Sequence, residues 1–347
     1  MSFIDFNDIV REAWNAYDSS REIFRIEDIS AKVSTNHVYS ITLRDHNLIV
    51  AKLSYFGEFD HFVEDHSIIN SLSNNLPHPF ENFLARSLMK GNELFVYRYH
   101  AEIIDVWVVF YRPIRIQQKL PRRLNEDQIR GLAHETAKFH KACDSVKGTL
   151  PFSSKTMKVD IDGLLDVLKS DEGHLQHHMY LDLIESQCLE FKKEYKKLGA
   201  NELDIIPVFV DWNIGNFSVN KDFEFFSRWD YDWFRMSTRM MDFYFFSRVV
   251  SDIGDRTVFT YNIDVLMEER FLLFLTEYHK IFPLSEQEIL FLKECYRFFL
   301  LTYVVKYGRY FYHEVFATKL QKEAFDTHLP SIEQKFDPYP LLKALNL

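Results

Sequence analysis

The stretch of sequence that decides the fold opens with FVDWNIGN (residues 209–216) and closes with WDYDW (229–233). An apolar run, IIPVFV at 205–210, leads into it and is typical of a short buried strand. Between the two quoted segments, FSV (217–219) and FEFF (223–226) flank the turn residues NKD, which predicts a hairpin. The order is therefore a buried strand, a loop with the pattern Asp-x-x-x-x-Asn, a hairpin and a second Asp. The hairpin would fold that Asp back beside the Asn.

Three polar side chains in this stretch suit chemistry on a phosphate group: Asp211, Asn216 and Asp230. Phosphoryl transfer needs a carboxylate near the attacking hydroxyl and oxygen ligands that hold magnesium on the phosphates. Asp211 fits the first role, and Asn216 and Asp230 fit the second because magnesium prefers oxygen ligands. Asp232 is left open: it caps the following segment, faces the substrate, or replaces Asp230 as the metal ligand. Taken alone, the Asp-x-x-x-x-Asn pattern also occurs in loops whose side chains only cap backbone groups.

The first hundred residues carry a second group of candidates on a small predicted sheet. Three strand patterns and one helix pattern follow one another at 22–26, 37–43, 48–53 and 59–72. Lys52 lies near the end of the third strand, where a kinase places the lysine that contacts the nucleotide phosphates. Kinases also hold that lysine with an acidic residue on the next helix; Glu64 is the best candidate and Asp65 the alternative. A lysine at a strand end and a solvated helix face are the ordinary interpretations of the same residues.

Beyond these elements the pattern changes from strand to helix. Two more strands are predicted near 83–89 and 94–99, joined by a turn at 90–93. Helical patterns follow at 125–143, 160–168, 180–198 and, with many aromatics typical of a core, 298–310. A chain of 347 residues exceeds what one core usually holds. We therefore predict an α+β fold with two lobes: residues 1–99 form an antiparallel nucleotide-binding lobe, and residues 100–347 form a mainly helical lobe with the catalytic loop and the acceptor site.

The composition excludes several classes of protein. The formal net charge is -10, from 51 acidic and 41 basic residues, which is the opposite sign to that of a non-specific nucleic-acid binder and unlike the basic face of a membrane-surface protein. The three cysteines, Cys143, Cys188 and Cys295, are far apart in sequence and indicate free thiols in a reducing compartment rather than a zinc site. The first residues show no signal-peptide pattern. We therefore expect a cytoplasmic protein with no nucleic-acid or membrane partner.

In this order along the chain, the motifs resemble those of the aminoglycoside phosphotransferase and choline kinase superfamily, which has the protein-kinase-like fold. The resemblance covers nearly the whole chain: the lysine strand, the helix with a Glu, a hinge, a long helix ending in Phe139-His140, the Asp-x-x-x-x-Asn loop, the hairpin and the second Asp. It implies an enzyme that uses ATP or GTP, with Mg²⁺, to phosphorylate a hydroxyl group of a small molecule. The acceptor classes that it implies are amino alcohols, amino sugars, sugars and homoserine.

The resemblance also implies roles for individual residues. Its nucleotide-binding positions fall on Lys52, Glu64, Tyr97 and Tyr99, the two tyrosines lying in the hinge. Its catalytic carboxylate, which positions the acceptor hydroxyl, falls on Asp211, and its metal ligands fall on Asn216 and Asp230. Asp242 resembles a further downstream Asp of the family, which steadies the loop and does no chemistry. His140, at the end of the long helix on an apolar face, is interpreted as a satisfied core histidine.

The sequence departs from the family pattern in three places, and two of these, the missing His-Gly and a glycine-free loop, favour a second hypothesis. Phe209-Val210 stand where the family usually has His-Gly, and Trp229 stands where it has an aliphatic residue. The loop expected to cover the phosphates, STNH at 34–37, has no glycine, the residue that lets backbone approach a phosphate closely. The alternative is therefore a catalytically weak or inactive binding protein on the same fold.

Overall fold

The computed structural model describes residues 5–31, 35–55, 57–101, 104–254 and 260–347. Its N-terminal strands are β1 (Ile23–Asp28), β2 (His37–Leu43), β3 (Leu48–Ser54), β4 (Met89–Lys90), β5 (Glu93–Leu94), β6 (Val96–Ala101) and β7 (Ile104–Tyr111). Two helices belong with them, α1 (Phe6–Tyr17) and α2 (Phe59–Asn75). Five of the strands form one antiparallel sheet in the order β1-β2-β3-β7-β6, and β4 pairs with β5 as a small hairpin.

The rest of the described chain is mainly helical, as predicted. Its α-helices are α3 (Glu126–Val146), α4 (Met157–Lys169), α5 (Asp171–His177), α6 (Leu181–Lys197), α7 (Met240–Val250), α8 (Glu269–Ile281), α9 (Glu286–Phe299), α10 (Gly308–Phe311), α11 (Glu314–Glu323), α12 (Leu329–Lys335) and α13 (Tyr339–Leu345). Short 3₁₀ turns lie at Lys147–Thr149, Ala200–Glu202 and Asp264–Met267. Two antiparallel strand pairs complete it: β8 (Ile206–Val208) with β11 (Arg235–Ser237), and β9 (Phe217–Val219) with β10 (Phe225–Arg228). Across the described ranges we find no helix both long and apolar enough to cross a membrane.

Each lobe has its own hydrophobic core. In the small lobe, the alternating buried residues Tyr39, Ile41 and Leu43 of β2 face the apolar side of α1, where Ala13 and Trp14 lie. The second helix behaves differently, because the buried residues of α2 belong to the core of the helical lobe. The predicted α+β, two-lobed fold is therefore confirmed, and α2 bridges the two lobes.

The small sheet extends further along the chain than predicted. Strand β7 pairs with β3 from Val50↔Tyr111 to Ser54↔Trp107, so the predicted lobe boundary at residue 99 falls inside the sheet. Six consecutive residues of β7 are buried, and such a strand lacks the apolar–polar alternation that marks a half-buried one. The chain leaves the sheet after Tyr111, and residues 112–125 connect it to α3.

Of two local predictions, one is confirmed and the other is wrong. The hairpin predicted after residue 216 is confirmed as β9 and β10. The regular helix predicted at 298–310 is instead α9 followed by a π-helical segment, Leu300–Lys306, and then α10; a second π-helical segment lies at Ala324–His328. Segments of this type are rare and occur often at functional sites.

Candidate active site

The loop that follows β8 is anchored by the carboxylate of Asp242. The backbone N–H groups of Phe209 and Val210 donate to Asp242 Oδ1 at 3.0 and 2.6 Å. His140 Nε2 donates to Asp242 Oδ2 at 3.0 Å, and the Tyr278 hydroxyl lies 2.9 Å from His140 Nδ1. The side chains of His140 and Asp242 are fully buried. The structure thus confirms that Asp242 steadies the loop and that His140 is a satisfied core histidine.

The backbone of this loop is strained at Val210. Its φ is 58°, in the left-handed region, where an L-residue costs roughly 1–2 kcal/mol and a β-branched side chain is an outlier. The family resembled by the sequence has Gly at this position, which adopts such a φ without that cost. The hydrogen bonds to Asp242 therefore hold a conformation that valine itself disfavours.

We expect Val210→Gly to destabilise the fold less than Val208→Gly, a matched truncation in β8. Both valines are fully buried, so each variant loses a similar apolar contact, but only Val210→Gly relieves a left-handed backbone. The free energy of unfolding, from denaturant titration, should fall by about 1–2 kcal/mol less at residue 210. An equal or larger loss at residue 210 would show that its backbone is not strained.

Asp211 lies in the cleft between the lobes, beside Asn216. Asn216 Nδ2 donates to Asp211 Oδ2 at 3.0 Å, and the Asn213 N–H donates to Oδ1 at 3.3 Å. The Trp229 N–H donates to the Asn216 carbonyl at 3.0 Å, so the hairpin does bring Asp230 back beside Asn216. Burial and then the charge of Asp230 raise the pKa of Asp211 to about 7. The carboxylate is therefore poised to exchange a proton near neutral pH.

Lys52 reaches the same cleft from β3. Its Nζ lies 3.0 Å from Asp230 Oδ1 and also contacts Asp232 Oδ1. Burial acts to lower the pKa of Lys52, but the two carboxylates outweigh burial and raise it. Asn36 Nδ2 donates to the other carboxylate oxygen of Asp232. Residues from the two lobes, distant in sequence, thus meet at one point.

The cleft carries an excess of negative charge. Asp211, Asp230 and Asp232 all line it, and Lys52 pairs with two of them. Burial raises the pKa of Asp232 to about 7; Lys52 opposes this rise, and the charge of Asp230 adds to it. Partial burial acts to raise the pKa of Asp230, but Lys52 outweighs it and lowers that pKa. A divalent cation bound through oxygen would relieve this repulsion, so the residues present fit Mg²⁺.

A metal in this cleft would depend on few protein ligands. Within the described ranges, no three His, Cys, Asp or Glu side chains form a ready-made metal cluster. Mg²⁺ is commonly held by one or two carboxylates together with phosphate oxygens and water. The pair predicted from the sequence, Asn216 and Asp230, is consistent with that kind of site.

Glu64 does not pair with Lys52, which corrects the expected ion pair. Glu64 Oε1 accepts two hydrogen bonds of 2.8 Å from residues 153–154 of the helical lobe. The neighbouring Asp65 pairs with Lys155 of the same segment. The acidic face of α2 is therefore turned towards the helical lobe, and Lys52 takes its partners from the cleft instead.

The hinge predicted at Tyr97 and Tyr99 is also corrected. Both tyrosines lie on β6, the edge strand of the sheet, and pack with the core formed by α1. The Tyr97 hydroxyl donates to Glu12 of α1 at 3.2 Å. Because β7 follows β6 in the same sheet, the segment that joins the lobes is residues 112–125.

The glycine-free loop at 34–37 contacts the opposite lobe. Ser34 lies outside the described residues, but the Thr35 N–H donates to the Phe311 carbonyl at 3.1 Å. Asn36 donates to Asp232, as noted above, and accepts from the Ser54 hydroxyl at 3.3 Å. Sequence reasoning missed the contacts of Thr35 with Phe311 and of Asn36 with Asp232, because each joins residues from distant parts of the chain with no motif between them.

His66 of α2, which sequence reasoning did not assign to the site, lines a cavity that also includes Asp232. Its Nδ1 lies 2.9 Å from the Phe62 carbonyl, which only accepts, so Nδ1 donates and Nε2 accepts from the Tyr111 hydroxyl at 2.5 Å. Burial lowers the pKa of His66 to about 3, since a bond to the Phe62 carbonyl offsets the desolvation only in part. The ring is therefore neutral in the folded protein over the ordinary pH range.

We expect His66 to make the fold lose stability in acid. Below about pH 6.5 the unfolded chain protonates this histidine and the folded protein does not, so stability rises with pH up to 6.5 and is lost below it. The contribution lost at pH 5 is about 2 kcal/mol. Denaturant titrations at pH 7 and 5 should show a smaller drop for His66→Gln than for the wild type. The exposed His174→Gln is the control; a His66→Gln drop equal to wild type would contradict the assignment.

A cavity adjoins the cleft beneath α2. Two ion pairs stand in its lining: Asp65 with Lys155, and Arg235 Nη2 with Asp160 Oδ2 at 2.8 Å. The π-helical segment Leu300–Lys306 contributes Thr302 and Tyr303 to the opposite wall. Asp232 and Phe311 line both the cavity and the cleft, so the two spaces lie next to each other.

Comparisons with known proteins identify the fold. No protein-family model matches the chain, and neither does any curated protein sequence. An amicoumacin kinase, hAmiN, in complex with AMP-PNP, Ca²⁺ and Ami, is similar with a TM-score of 0.63 and 13% identity over 97% of each chain. A microcompartment-associated aminopropanol kinase gives 0.54 and 14%, over 90% of this chain and 92% of that one. The ADP-bound aminoglycoside phosphotransferase APH(2'')-Ib gives 0.52 and 11%, over 92% and 98%.

These similarities span both lobes, at identities that establish the fold alone. In this chain, the structure places Lys52, Asp211, Asn216 and Asp230 in one cleft. The chain therefore has the bilobal, protein-kinase-like fold shared by aminoglycoside phosphotransferases and related small-molecule kinases.

Proposed function

We propose that this protein is a small-molecule kinase, which transfers the terminal phosphoryl group of ATP or GTP to a hydroxyl group of its acceptor. The observation that supports this most is the meeting of Lys52, Asp211, Asn216 and Asp230 in one cleft between the lobes. Each of these side chains has the chemistry that phosphoryl transfer requires, and each comes from a different position in the kinase-like order.

In the proposed reaction, the acceptor oxygen forms a bond to the terminal phosphorus. The bond from that phosphorus to the bridging oxygen breaks, and the nucleoside diphosphate leaves. Asp211 orients the acceptor hydroxyl and takes its proton, a role that a carboxylate with a pKa raised to about 7 performs well near neutral pH. On nucleotide binding, Lys52 gives up its contacts with Asp230 and Asp232 and contacts the phosphates instead.

Asn216 and Asp230 are the residues that would hold Mg²⁺, with Asp232 as the neighbouring alternative. Asn216 uses Nδ2 to bond Asp211, so its amide oxygen is the ligand atom. The Mg²⁺ held there would supply positive charge that stabilises the negative charge developing on the phosphate oxygens. We expect the reaction to take place in the cytoplasm, in keeping with three buried cysteines that form no disulfide.

The acceptor fits the cavity beneath α2, next to the cleft. Three buried polar atoms of its lining residues have no hydrogen-bond partner among the described residues: Asp65 Oδ1, Arg235 Nε and Thr302 Oγ1. A polar ligand would supply such partners. Acidic residues of the lining outnumber Lys155 and Arg235; they are Glu58, Asp65, Asp160 and Asp232. Hydroxyl compounds that carry an amine, namely amino alcohols, amino sugars and homoserine, are therefore the first acceptors to screen, before neutral sugars.

The alternative, a binding protein with little or no activity, is favoured by one observation. Residues 35 and 36 reach across the cleft: the Thr35 N–H donates to the Phe311 carbonyl, and Asn36 donates to Asp232. A nucleotide would have to displace these contacts, and the loop has no glycine to help the backbone approach the phosphates.

A thermal shift measurement separates the two functions. The purified protein is heated with Mg²⁺ plus ATP, with Mg²⁺ plus GTP, and with each nucleotide plus EDTA. A ligand that binds the folded state raises the unfolding midpoint by linkage, so a kinase should show a rise that requires Mg²⁺. Phosphorylation of a screened acceptor would then complete the assignment. No rise with either nucleotide at millimolar concentration would overturn the proposed kinase and favour the binding protein.

A further inference from the structure

Arg228, at the end of β10, is the most unusual charged residue around the cleft. Its side chain is fully buried between two aromatic rings, with the guanidinium carbon 4.6 Å from the Phe209 ring centroid and 4.3 Å from the Trp212 ring centroid. Its Nη2 donates to the backbone carbonyl of Asp211 at 3.0 Å. One side chain thus contacts Phe209, Asp211 and Trp212, three of the four residues from 209 to 212.

The burial of this guanidinium is not explained by packing alone. Taking a charged group out of water is costly unless its donors are satisfied, and an apolar residue of similar size would fill the same space without that cost. Within the described part of the chain, Nε and Nη1 of Arg228 have no hydrogen-bond partner. The charged form is stabilised by stacking on Phe209 and Trp212, by the bond to the Asp211 carbonyl, and by the negative charges of Asp242, Asp211 and Asp230.

The backbone of Arg228 is fixed on its other side. Its N–H donates to the Phe83 carbonyl at 2.6 Å, and its carbonyl accepts from the Ala85 N–H at 2.9 Å. It is the last residue of β10 and stands two residues before Asp230, so the strand that leads to the proposed metal ligand also carries the side chain that contacts Asp211. The distance between the two carboxylates is therefore set in part by one rigid, planar group.

We propose that Arg228 is a positioning residue that holds the loop of Asp211 against the strand of Asp230. The inference rests on the proposed kinase function for its effect on rate, but the positioning itself is a property of the loop. It also explains how the loop stays ordered with Phe209 at the position where the resembled family has His, because Phe209 offers an aromatic face on which the guanidinium stacks.

The kinetic test uses MgATP with water as the acceptor, since the natural acceptor is not identified. Arg228→Met keeps the apolar bulk and removes the guanidinium; kcat for ATP hydrolysis should fall by about 10²-fold, the cost of a misplaced reacting group, while KM for ATP stays within about twofold. Arg228→Lys keeps a cation between the rings and should recover part of the loss. Arg297→Met is the matched control, because Arg297 is also buried but bonds Glu294 of α9 and Glu333 of α12, in the C-terminal helices. It should lower the unfolding midpoint and leave kcat unchanged.

Hydrogen exchange of the amides at 211–216, measured without nucleotide, gives a readout that does not depend on activity. We expect exchange to be about tenfold faster in Arg228→Met and close to wild type in the helices. Unchanged exchange would overturn the positioning role, and so would a wild-type kcat. If wild type hydrolyses no ATP but exchange at 211–216 accelerates, the positioning role stands and the kinase proposal loses support. Should Arg228→Met fail to fold, Phe209→Leu removes one stacking ring, and the same two measurements decide.

Discussion

Asp211→Asn is expected to lower the rate of phosphoryl transfer by about 10²–10⁴-fold, the usual contribution of a positioned base. The variant keeps the size of the side chain but removes the group that takes the acceptor proton. The proposed metal ligands, Asn216 and Asp230, stay in place, so the Kd for the Mg²⁺–nucleotide complex should stay within a few-fold of wild type. The effect should therefore appear in kcat and hardly in nucleotide binding.

Two measurements on the same preparations check this prediction: steady-state turnover with the acceptor found by screening, and nucleotide affinity by calorimetry. Asp222→Asn provides the matched control, since Asp222 lies exposed in the turn between β9 and β10. Turnover at the wild-type level in Asp211→Asn would remove Asp211 from the mechanism. Loss of nucleotide binding together with turnover would instead mean that the variant has disturbed the metal site.

The part of the site that the sequence predicts correctly is the part encoded locally. Residues 205–233 carry a strand, a loop and a hairpin within one short stretch, and a hairpin brings its two ends together whatever the rest of the chain does. For that reason Asp211, Asn216 and Asp230 are correctly expected side by side. Lys52 is expected at the cleft only because its strand occupies the place along the chain where the resembled family has its lysine strand. The structure does place Lys52 at the cleft.

The predictions that fail depend on contacts between distant segments. Glu64 and Asp65 are adjacent on α2, and both face residues 153–155 of the helical lobe, which no local pattern reveals. Strand β7 is buried on both faces, so its sequence shows no apolar–polar alternation. Because β7 was not predicted, the hinge was predicted one strand too early, at Tyr97 and Tyr99. An arginine at a strand end looks solvent-exposed in sequence, yet Arg228 is buried, because the rings that surround it come from a separate loop.

Both segments that carry the proposed chemistry contain a residue with a left-handed backbone. Val210 and Asp230 both have positive φ, at 58° and 66°, and each stands in or beside the cleft. Strained residues persist only when the surrounding contacts hold them, which Asp242 does for Val210 and Lys52 does for Asp230. A fold that served packing alone would have no need of a left-handed valine, so the strain is consistent with a loop selected to place Asp211.

Asp230→Asn is expected to weaken binding of the Mg²⁺–nucleotide complex by at least about 10²-fold, because changes even in residues that only support a metal ligand commonly cost 10–100-fold. Asparagine is a suitable replacement because it tolerates the left-handed conformation that Asp230 adopts, so the variant changes charge with little added strain. Calorimetry with ATP should show that the affinity of the variant no longer depends on Mg²⁺. Binding of ATP in EDTA should be unchanged or stronger, since Lys52 would then have one carboxylate partner fewer to give up.

Asp232→Asn, measured in parallel, separates the two candidate ligands. Asp232 also contacts Lys52, and it accepts from Asn36, so its replacement removes a similar charge from nearly the same place. If Asp230 is the metal ligand, Asp232→Asn should retain the Mg²⁺ dependence of ATP binding and Asp230→Asn should lose it. The reverse pattern would transfer the ligand role to Asp232, and unchanged Mg²⁺–ATP affinity in both variants would leave the cleft without a metal and remove the basis for phosphoryl transfer there.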